Sequence, residues 1–493
     1  MPANLESNQE SPERWAEGQL DLGTALRDQG LRTEGAKGTK LLVQAETAYL
    51  RALEVFTCDK FPEQWAGTQF HLGTALRERG LRIDGASGMN LLAQAVTAYL
   101  SALEVFTREE TPQEWALLQS NLGIALREQG VRTIGSGGME LLAQAVAACR
   151  SALEADLRKD FDLRKESPDQ WAMLHNNLGV ACQEQGFRTE GANGTDLLVQ
   201  AGIAYRSALE VFTLEQFPEF YATLQNNLGL VLQEQARRTA NAMGTELLAQ
   251  AVVAYREAST AFGREQRPPQ WAMANQHLGV ALEEQALRVD DSKAQDLLAQ
   301  AVVSYRNALS VYTIKAFPQD WASTQNRLGN TLLEQGIRTK SAGNTNLFAQ
   351  AVLAYRNALK IYTLRQQPRD WAITHYNLGF ALSEQASSTG DVKAMVLLSQ
   401  AVTAYLNALQ VTTREKQPQE WAMIQKKLGH ALREQATRLG DGKNGEPLRQ
   451  AILAYEAALE VYSHETFPSE HQDVRKSLQM IKTMFSDTQL PAN

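Results

Sequence analysis

Apolar positions between Trp115 and Leu126 fall three and four residues apart: Trp115, Leu118, Leu122, Ala125 and Leu126. That spacing lines one face of an α-helix. A second segment, Leu92, Ala95, Ala98, Tyr99, Ala102 and Leu103, keeps the helical period but places small residues on it, as a helix needs where a partner lies close. Nothing alternates with period two, so no sheet is predicted. Ser11-Pro12, Thr111-Pro112 and Ser167-Pro168 predict helix starts, each a capping hydroxyl before a proline whose missing N–H costs nothing in the first turn. Glu13, Glu63, Glu114 and Asp169 add negative charge at the positive end of the helix dipole. The first helix is expected to end near Arg132, with Gly135, Gly137 and Gly138 as stop and turn, and the second to run from about Leu141.

Both patterns return about every fifty residues from Pro12 to Phe485. A fixed period of this size marks units that stack on their neighbours. Trp15, Trp65, Trp115, Trp171, Trp271, Trp321, Trp371 and Trp421 fill one slot, with Tyr221 in the vacancy and His471 in a degenerate last copy. The count is nine two-part units and a closing first half, about nineteen helices. The expected organisation is a disordered segment 1–11, an array over 12–467, a capping helix over 468–486 and a disordered tail 487–493.

Asn121-Leu122-Gly123-x-Ala125-Leu126-x-x-Gln129-Gly130, followed by Ala145, by a slot usually held by tyrosine (Tyr99, Tyr205, Tyr255, Tyr305) and by Ala152-Leu153, resembles the tetratricopeptide repeat. The resemblance implies an all-α, right-handed solenoid of antiparallel helix pairs, and it identifies a fold more strongly than a function. Each unit exceeds the usual 34-residue repeat by about sixteen residues, which predicts helices longer by about a turn plus a real connector. Curvature is left open by this departure, and a nearly closed ring is compatible with it.

Charge and candidate chemistry narrow the function classes. A net charge of −8 and a pI near 5.6 argue against nucleic acid as the main partner. No run of eighteen apolar residues exists and Met1 to Ser11 is polar, so no membrane span or secretory signal is expected. Cys58, Cys149 and Cys182 form no paired motif, which fits a reducing, cytoplasmic setting. Cys149 takes a tyrosine slot and Cys182 a leucine slot, so both read as core substitutes. The histidines occupy repeat slots too: His175 and His375 that of Gln119, His71 and His277 that of Asn121, His430 that of Ile124. No metal-ligand spacing results. Gly35-Ala36-Lys37-Gly38-Thr39-Lys40 lacks the spacing and the strand of a phosphate loop. Glu128 and Arg132, like Glu334 and Arg338, lie four apart in the favourable order, a pairing worth roughly 0.2–0.5 kcal/mol when exposed. No nucleophile with a base and no paired acids stand out, so neither an enzyme nor a cofactor is expected.

Slots that keep their identity serve packing, and slots that vary are candidates for recognition. Leu122, Gly123, Ala125 and Ala145 keep theirs; Ser120, Asn121, Ile124 and Arg127 change from copy to copy. In tetratricopeptide-like stacks this stripe of the first helix lines the concave surface, where the family usually binds extended peptides or partner helices. Carried over, the resemblance implies partner-binding positions at Phe70, Arg77, Asn121, Arg127, Asn176, Asn177, Asn226, Asn227, Asn326, Asn330, Tyr376, Asn377, Phe380, Lys426 and Arg433. Asparagine offers both donor and acceptor, so a ladder of amides can grip a peptide backbone. Asp21, His71, His277, Arg327 and Lys427 interrupt that ladder. The expected function is therefore a non-catalytic scaffold for a protein or extended peptide. The alternative is a self-assembling array whose end or side surfaces mediate oligomerisation. Between Ala155 and Pro168 six extra residues nearly duplicate Asp156-Leu157-Arg158-Lys159 as Asp162-Leu163-Arg164-Lys165, either a slippage that lengthens the second helix or a protruding contact.

Overall fold

The computed structural model describes residues 11–154, 163–339, 344–439 and 445–488. The expectations for residues 1–10, for the last five and for Asp156 to Phe161 lie outside them. The described chain divides into two compact halves, Met1–Ala261 and Phe262–Asn493. In the first half α1 (Pro12–Arg32) pairs with α2 (Gly35–Ala52), α3 (Pro62–Arg82) with α4 (Gly85–Ala102), and α5 (Pro112–Arg132) with α6 (Ser136–Glu154). A single turn, α7 (Leu163–Glu166), precedes α8 (Pro168–Arg188), α9 (Gly191–Leu209), α10 (Pro218–Arg238) and α11 (Asn241–Phe262). The second half holds α12 (Pro268–Ala286) with α13 (Asp291–Leu309), α14 (Pro318–Arg338) with α15 (Asn344–Ala358), α16 (Pro368–Ser387) with α17 (Asp391–Leu409), α18 (Pro418–Leu439) with α19 (Gly445–Leu459), and a closing α20 (Pro468–Thr488). Among the described residues there are twenty helices and no strand. The one helix beyond nineteen is α7, in the unit with the extra residues.

The first helices end where the sequence places them, at Arg132 and its counterparts, but two local expectations need correction. The second helix of the third pair begins at Ser136, not near Leu141, and its sisters begin at Gly35, Gly85 and Gly191. Only Thr33 and Glu34 separate α1 from α2, and only Ile83 and Asp84 separate α3 from α4, so in these pairs the extra length goes into the helices rather than a connector. Glycine permits this in two ways. Gly35, Gly85, Gly135 and Gly191 adopt φ between 68° and 82°, which side chains with a Cβ resist. Gly38 packs so closely that a Cβ would lie 1.8 Å from the Thr33 carbonyl oxygen. In the second half a different start appears: Asp290 accepts from the Lys293 amide at 3.1 Å, and Ala294 fits the slot of Gly38.

Capping by hydroxyl holds at Ser11, which accepts from Arg14 N at 3.3 Å, and fails at Thr111 and Ser167, which make no side-chain cap. Their ψ values, 63° and 68°, leave the extended conformation a capping side chain requires. Both residues instead close a helical turn from the preceding pair: Thr111 N donates to Thr107 O at 2.9 Å and Ser167 N to Leu163 O at 2.8 Å.

The repeated glycine and tyrosine slots prove to be one contact. Tyr49, Tyr99, Tyr205, Tyr255, Tyr305, Tyr355, Tyr405 and Tyr455 have 0% exposure. Each ring lies on the first-helix glycine of its own pair, so close that a Cβ on Gly229 would stand 2.6 Å from Tyr255 Cε1. In the third pair Cys149 takes the ring's place against Gly123. Burial pushes the Cys149 thiol up to about 12 and that of Cys182 up to about 11, so neither offers a reactive thiolate.

Between successive pairs, aromatic rings and arginines do the joining. Phe56 packs on Ala16 and Ala52 beside Phe61 and Trp65, and Tyr362 on Ala322 and Ala358 between Trp321 and Trp371. Arg82 reaches back to Gly30 O at 3.0 Å and Thr33 O at 3.2 Å; Arg132 reaches Gly80 O at 2.9 Å and Ile83 O at 3.0 Å. Arg238 bonds Thr189 O at 2.9 Å. These carbonyls lie in the last turn and at the cap of the preceding first helix, where the regular intrahelical ladder runs out. The Glu128–Arg132 pair, 3.0 Å, therefore aims a strap rather than decorating a surface.

The window Val392–Leu409 reaches a mean hydropathy of 1.3, the length and composition of a membrane span. It is not an unbroken apolar run, since Lys393, Ser399, Gln400, Thr403 and Asn407 interrupt it. The window belongs to α17, whose Leu398, Ala401, Tyr405 and Ala408 are buried as in its sister helices, packed against α16 and α18.

Candidate functional site: the varying stripe and its cavities

The varying stripe is half-buried, because each first helix leans on the next. Arg27 Nη1 donates to His71 Nδ1 at 2.5 Å, and Arg77 bonds Asn121 Oδ1 one pair further on. Each arginine also meets the acid that follows it: Arg27 with Asp28 at 2.8 Å, Arg77 with Glu78 at 2.6 Å, Arg127 with Glu128 at 3.6 Å. Asn121 Nδ2 donates to Leu117 O at 2.8 Å and Asn177 Nδ2 to Ser120 Oγ at 2.9 Å. Phe70 lies between His71 and the Tyr99 ring. Asn176 and Asn227 are half-buried, while Asn226 is only 4% exposed and belongs to the interior.

In the second half Asn330 Oδ1 accepts from Tyr355 Oη at 2.8 Å and from Asn377 Nδ2 at 3.0 Å, and Asn326 Oδ1 accepts from Thr374 Oγ1 at 3.3 Å. Lys426 pairs with Asp473 at 2.6 Å. The amide ladder is thus partly spent on holding neighbouring helices in register. Phe380 carries the Lys427 ammonium 4.0 Å from its ring centroid. Together with Glu384, His430 and Arg433 they surround a cavity of about 170 Å³. Burial lowers the Lys427 pKa and raises that of Glu384, so this small cavity holds opposed charges poorly solvated.

Three predicted residues converge. Arg77, Asn121 and Asn177, with Ser120, rim a cavity of about 360 Å³ between α5 and α8 whose floor is Leu117, Ile124, Met173 and Leu174. Leu163 from α7 forms one wall. A cavity of about 280 Å³ between α16 and α18 is lined by Tyr376, Ile373, Met423 and Ile424. Leu117, Leu163, Met173, Met423 and Thr412 also line these cavities, and none of them belongs to the varying polar slots by which a site shows in the sequence. Phe70, Asn226, Asn326 and Lys426 line none of these three cavities.

The stripe histidines respond to acid together. Burial lowers His71, His277, His375 and His430 to about 4, and nearby cations (Arg27 at His71, Arg327 at His277, Arg433 at His430) add to it. Unfolded, each titrates near 6.5. The unfolded chain therefore binds more protons between these values, and stability present above pH 6.5 is lost as pH falls towards 4. The thermal midpoint is expected to drop between pH 7 and pH 5, with His375→Gln showing a smaller drop than the parent chain. Equal drops would remove His375 from this account.

Nine helix pairs, a tyrosine-on-glycine contact in eight of them and straps between neighbours define a tetratricopeptide-like array of helical hairpins. No protein-family model and no curated protein matches the chain. Among solved structures it is similar to the TPR domain of P58(IPK), at 13% identity over 96% of this chain and 99% of that one, TM-score 0.21. A circular tandem repeat protein with novel repeat topology is similar at 16% identity over 96% and 99%, TM-score 0.27. Yeast Tom70 is similar at 13% identity over 96% and 98%, TM-score 0.30.

Proposed function

We propose that this chain is a non-catalytic scaffold, working in a reducing cytoplasmic setting, that holds a protein or extended peptide on the stripe of its first helices. The observation that carries the reading is the cavity between α5 and α8, where an apolar floor meets the polar groups of Arg77, Asn121 and Asn177. An apolar pocket with a few convergent polar groups is the usual form of a ligand site. Free, exposed Cys58 supports the reducing setting. A photo-crosslinking residue at Ile124 is expected to capture the partner, and one at Val253, exposed on the opposite helix of its pair, is not. Capture only from Val253 would move the binding surface off the stripe.

A second reading has its own observation. The outward slot of the second helices is apolar and exposed at Ile203 (57%), Val253 (52%), Val303 (56%) and Leu353 (60%). Such apolar faces, Ile203 with Val253 in the first half and Val303 with Leu353 in the second, support self-assembly through the sides. Sedimentation at rising concentration decides: a monomer throughout sinks it, and dissociation by Val303→Lys with Leu353→Lys sustains it.

A further inference from the structure

Among copies of the inter-pair joint two have no ring in the slot, the third, where it falls within 155–162 outside the described residues, and the eighth, which the structure describes in full. After seven of the nine second helices an aromatic residue follows in this slot, and Phe56, Phe212, Tyr312, Tyr362 and Tyr462, all 8% exposed or less, plug the gap there. In four copies a second ring meets it: Phe61 meets Phe56 at 5.7 Å, Phe217 meets Phe212 at 5.1 Å, Phe317 meets Tyr312 at 5.4 Å and Phe467 meets Tyr462 at 5.5 Å. The seventh pair keeps its Tyr362 and has Gln367 for the second ring. The eighth pair has neither, because Thr412 and Gln417 occupy both slots.

The missing rings leave space. The cavity of about 280 Å³ is bounded by Ala372, Tyr376, Thr412, Gln417, Met423 and Ile424. Ala372 is the counterpart of Ala322, the surface on which Tyr362 rests one pair earlier. The volume exceeds the ~150 Å³ of an apolar cavity that admits benzene. Its floor is apolar, its wall is aromatic, and Met423 offers the thioether that favours ring contacts. Arg369 and Lys416 stand at the rim against one acid, Glu420. Arg369 is the only cation in its repeat slot, which elsewhere holds Glu13, Glu63, Gln113, Asp169, Glu219, Pro269, Gln319, Gln419 or Ser469.

We propose that the cavity between α16 and α18 is an anchor pocket for one aromatic side chain of a peptide partner, a ring supplied from outside where other copies supply their own, with an acidic residue beside it to meet Arg369 and Lys416. The proposal deepens the peptide-scaffold reading and rests on it. A ring entering here regains the contacts that Tyr362 makes with Ala322 and its neighbouring tryptophans. Aromatic anchors in pockets are the residues that dominate peptide affinity.

The test uses the full chain and p-cresol, the tyrosine side-chain analogue, so it needs no partner. Saturable binding to the parent chain is expected by calorimetry or ligand-observed NMR. Thr412→Tyr should plug the cavity, weaken p-cresol at least tenfold and raise the thermal midpoint. Tyr362→Thr reproduces the Thr-Gln combination one pair earlier and should create a second site, which keeps the idea testable if Thr412→Tyr fails to fold. Absence of saturable binding, binding indifferent to Thr412→Tyr, or no gained site in Tyr362→Thr would each overturn the pocket. Ac-Tyr-Asp-NH2 should bind more tightly than Ac-Tyr-Lys-NH2, and Arg369→Glu should invert the order; equal affinities would overturn the acidic neighbour. A chain that binds p-cresol here yet crosslinks no partner at Ile124 would sink the scaffold reading and leave the pocket standing.

Discussion

Tyr255→Ala is expected to cost about 3–5 kcal/mol, the range for removing a fully buried aromatic ring. The ring has 0% exposure, rests on Gly229 and donates its hydroxyl to Gln233 Oε1 at 2.9 Å, so neither water nor a neighbour can fill the void cheaply. The reciprocal change separates two opposing effects. Helix propensity alone would make Gly229→Ala stabilising by about 1 kcal/mol. The added Cβ would stand 2.6 Å from Tyr255 Cε1, and overpacking of this kind costs about 1–3 kcal/mol. Packing is expected to win, because the buried, hydrogen-bonded ring has nowhere to move. Urea titration combined with hydrogen exchange in α10 and α11 measures both. A raised midpoint for Gly229→Ala would mean that the ring yields. Combining Gly229→Ala with Tyr255→Leu should recover part of the loss, the sign of a direct contact.

The second large effect is expected at Arg132, where replacement by methionine should cost about 2 kcal/mol. Its Nη1 donates to Gly80 O and Ile83 O and its Nη2 to Leu81 O at 3.3 Å. A hydrogen bond from a charged group contributes about 1.5–3 kcal/mol, but the freed carbonyls regain water at the helix end, so the net falls well below the sum. Glu128→Gln provides the control. If Arg132 mattered only as an exposed ion pair, both changes would cost roughly 0.2–0.5 kcal/mol. If it straps two pairs, Arg132→Met should exceed Glu128→Gln several-fold, and Arg132→Lys should recover only part of the loss, having no planar fork for three carbonyls.

These contacts show where the sequence was readable. Periodicity of Trp115, Leu118, Leu122 and Leu126 placed the first helices to the residue at Arg132, because apolar spacing and helical burial are the same fact. The start of α6 was missed by five residues, 136 against 141, since Gly135, Gly137 and Gly138 read locally as a loop. Tertiary packing overrides that weak propensity: only glycine fits where Gly138 approaches Thr133 O, and the close approach itself carries the helix forward. The straps were hidden for another reason. Glu128 and Arg132 have the spacing of an intrahelical pair, and nothing in one copy says that the guanidinium also reaches 52 residues back. At the stripe, sequence located Arg77, Asn121 and Asn177 around one cavity but not its floor. Leu117 and Met173 are apolar and look like core until the neighbouring helix fails to cover them. Thr412 is legible as a threonine in a column of rings, but the space it leaves depends on how α16 and α18 lie against each other, which no single copy states.

One slot breaks the succession of straps. In the eighth pair Ser388 stands where Arg132 and Arg338 stand, an exposed residue closing α16 whose own N–H bonds Ala386 O. A stacked array behaves as a one-dimensional chain, each link passing folding free energy to the next. The link between α14 and α16 is therefore a fault in that succession, bridged instead by Asn377 Nδ2 to Asn330 Oδ1 at 3.0 Å and Thr374 Oγ1 to Asn326 Oδ1 at 3.3 Å, and replacing Asn326 and Asn330 by alanine is expected to let α16 to α20 open as a block while α12 to α15 stays closed. Both walls of the Thr412 cavity, α16 and α18, lie on the same side of that fault, so a ring lodged there would travel with the block and act as a wedge against its internal melting, leaving the fault itself untouched.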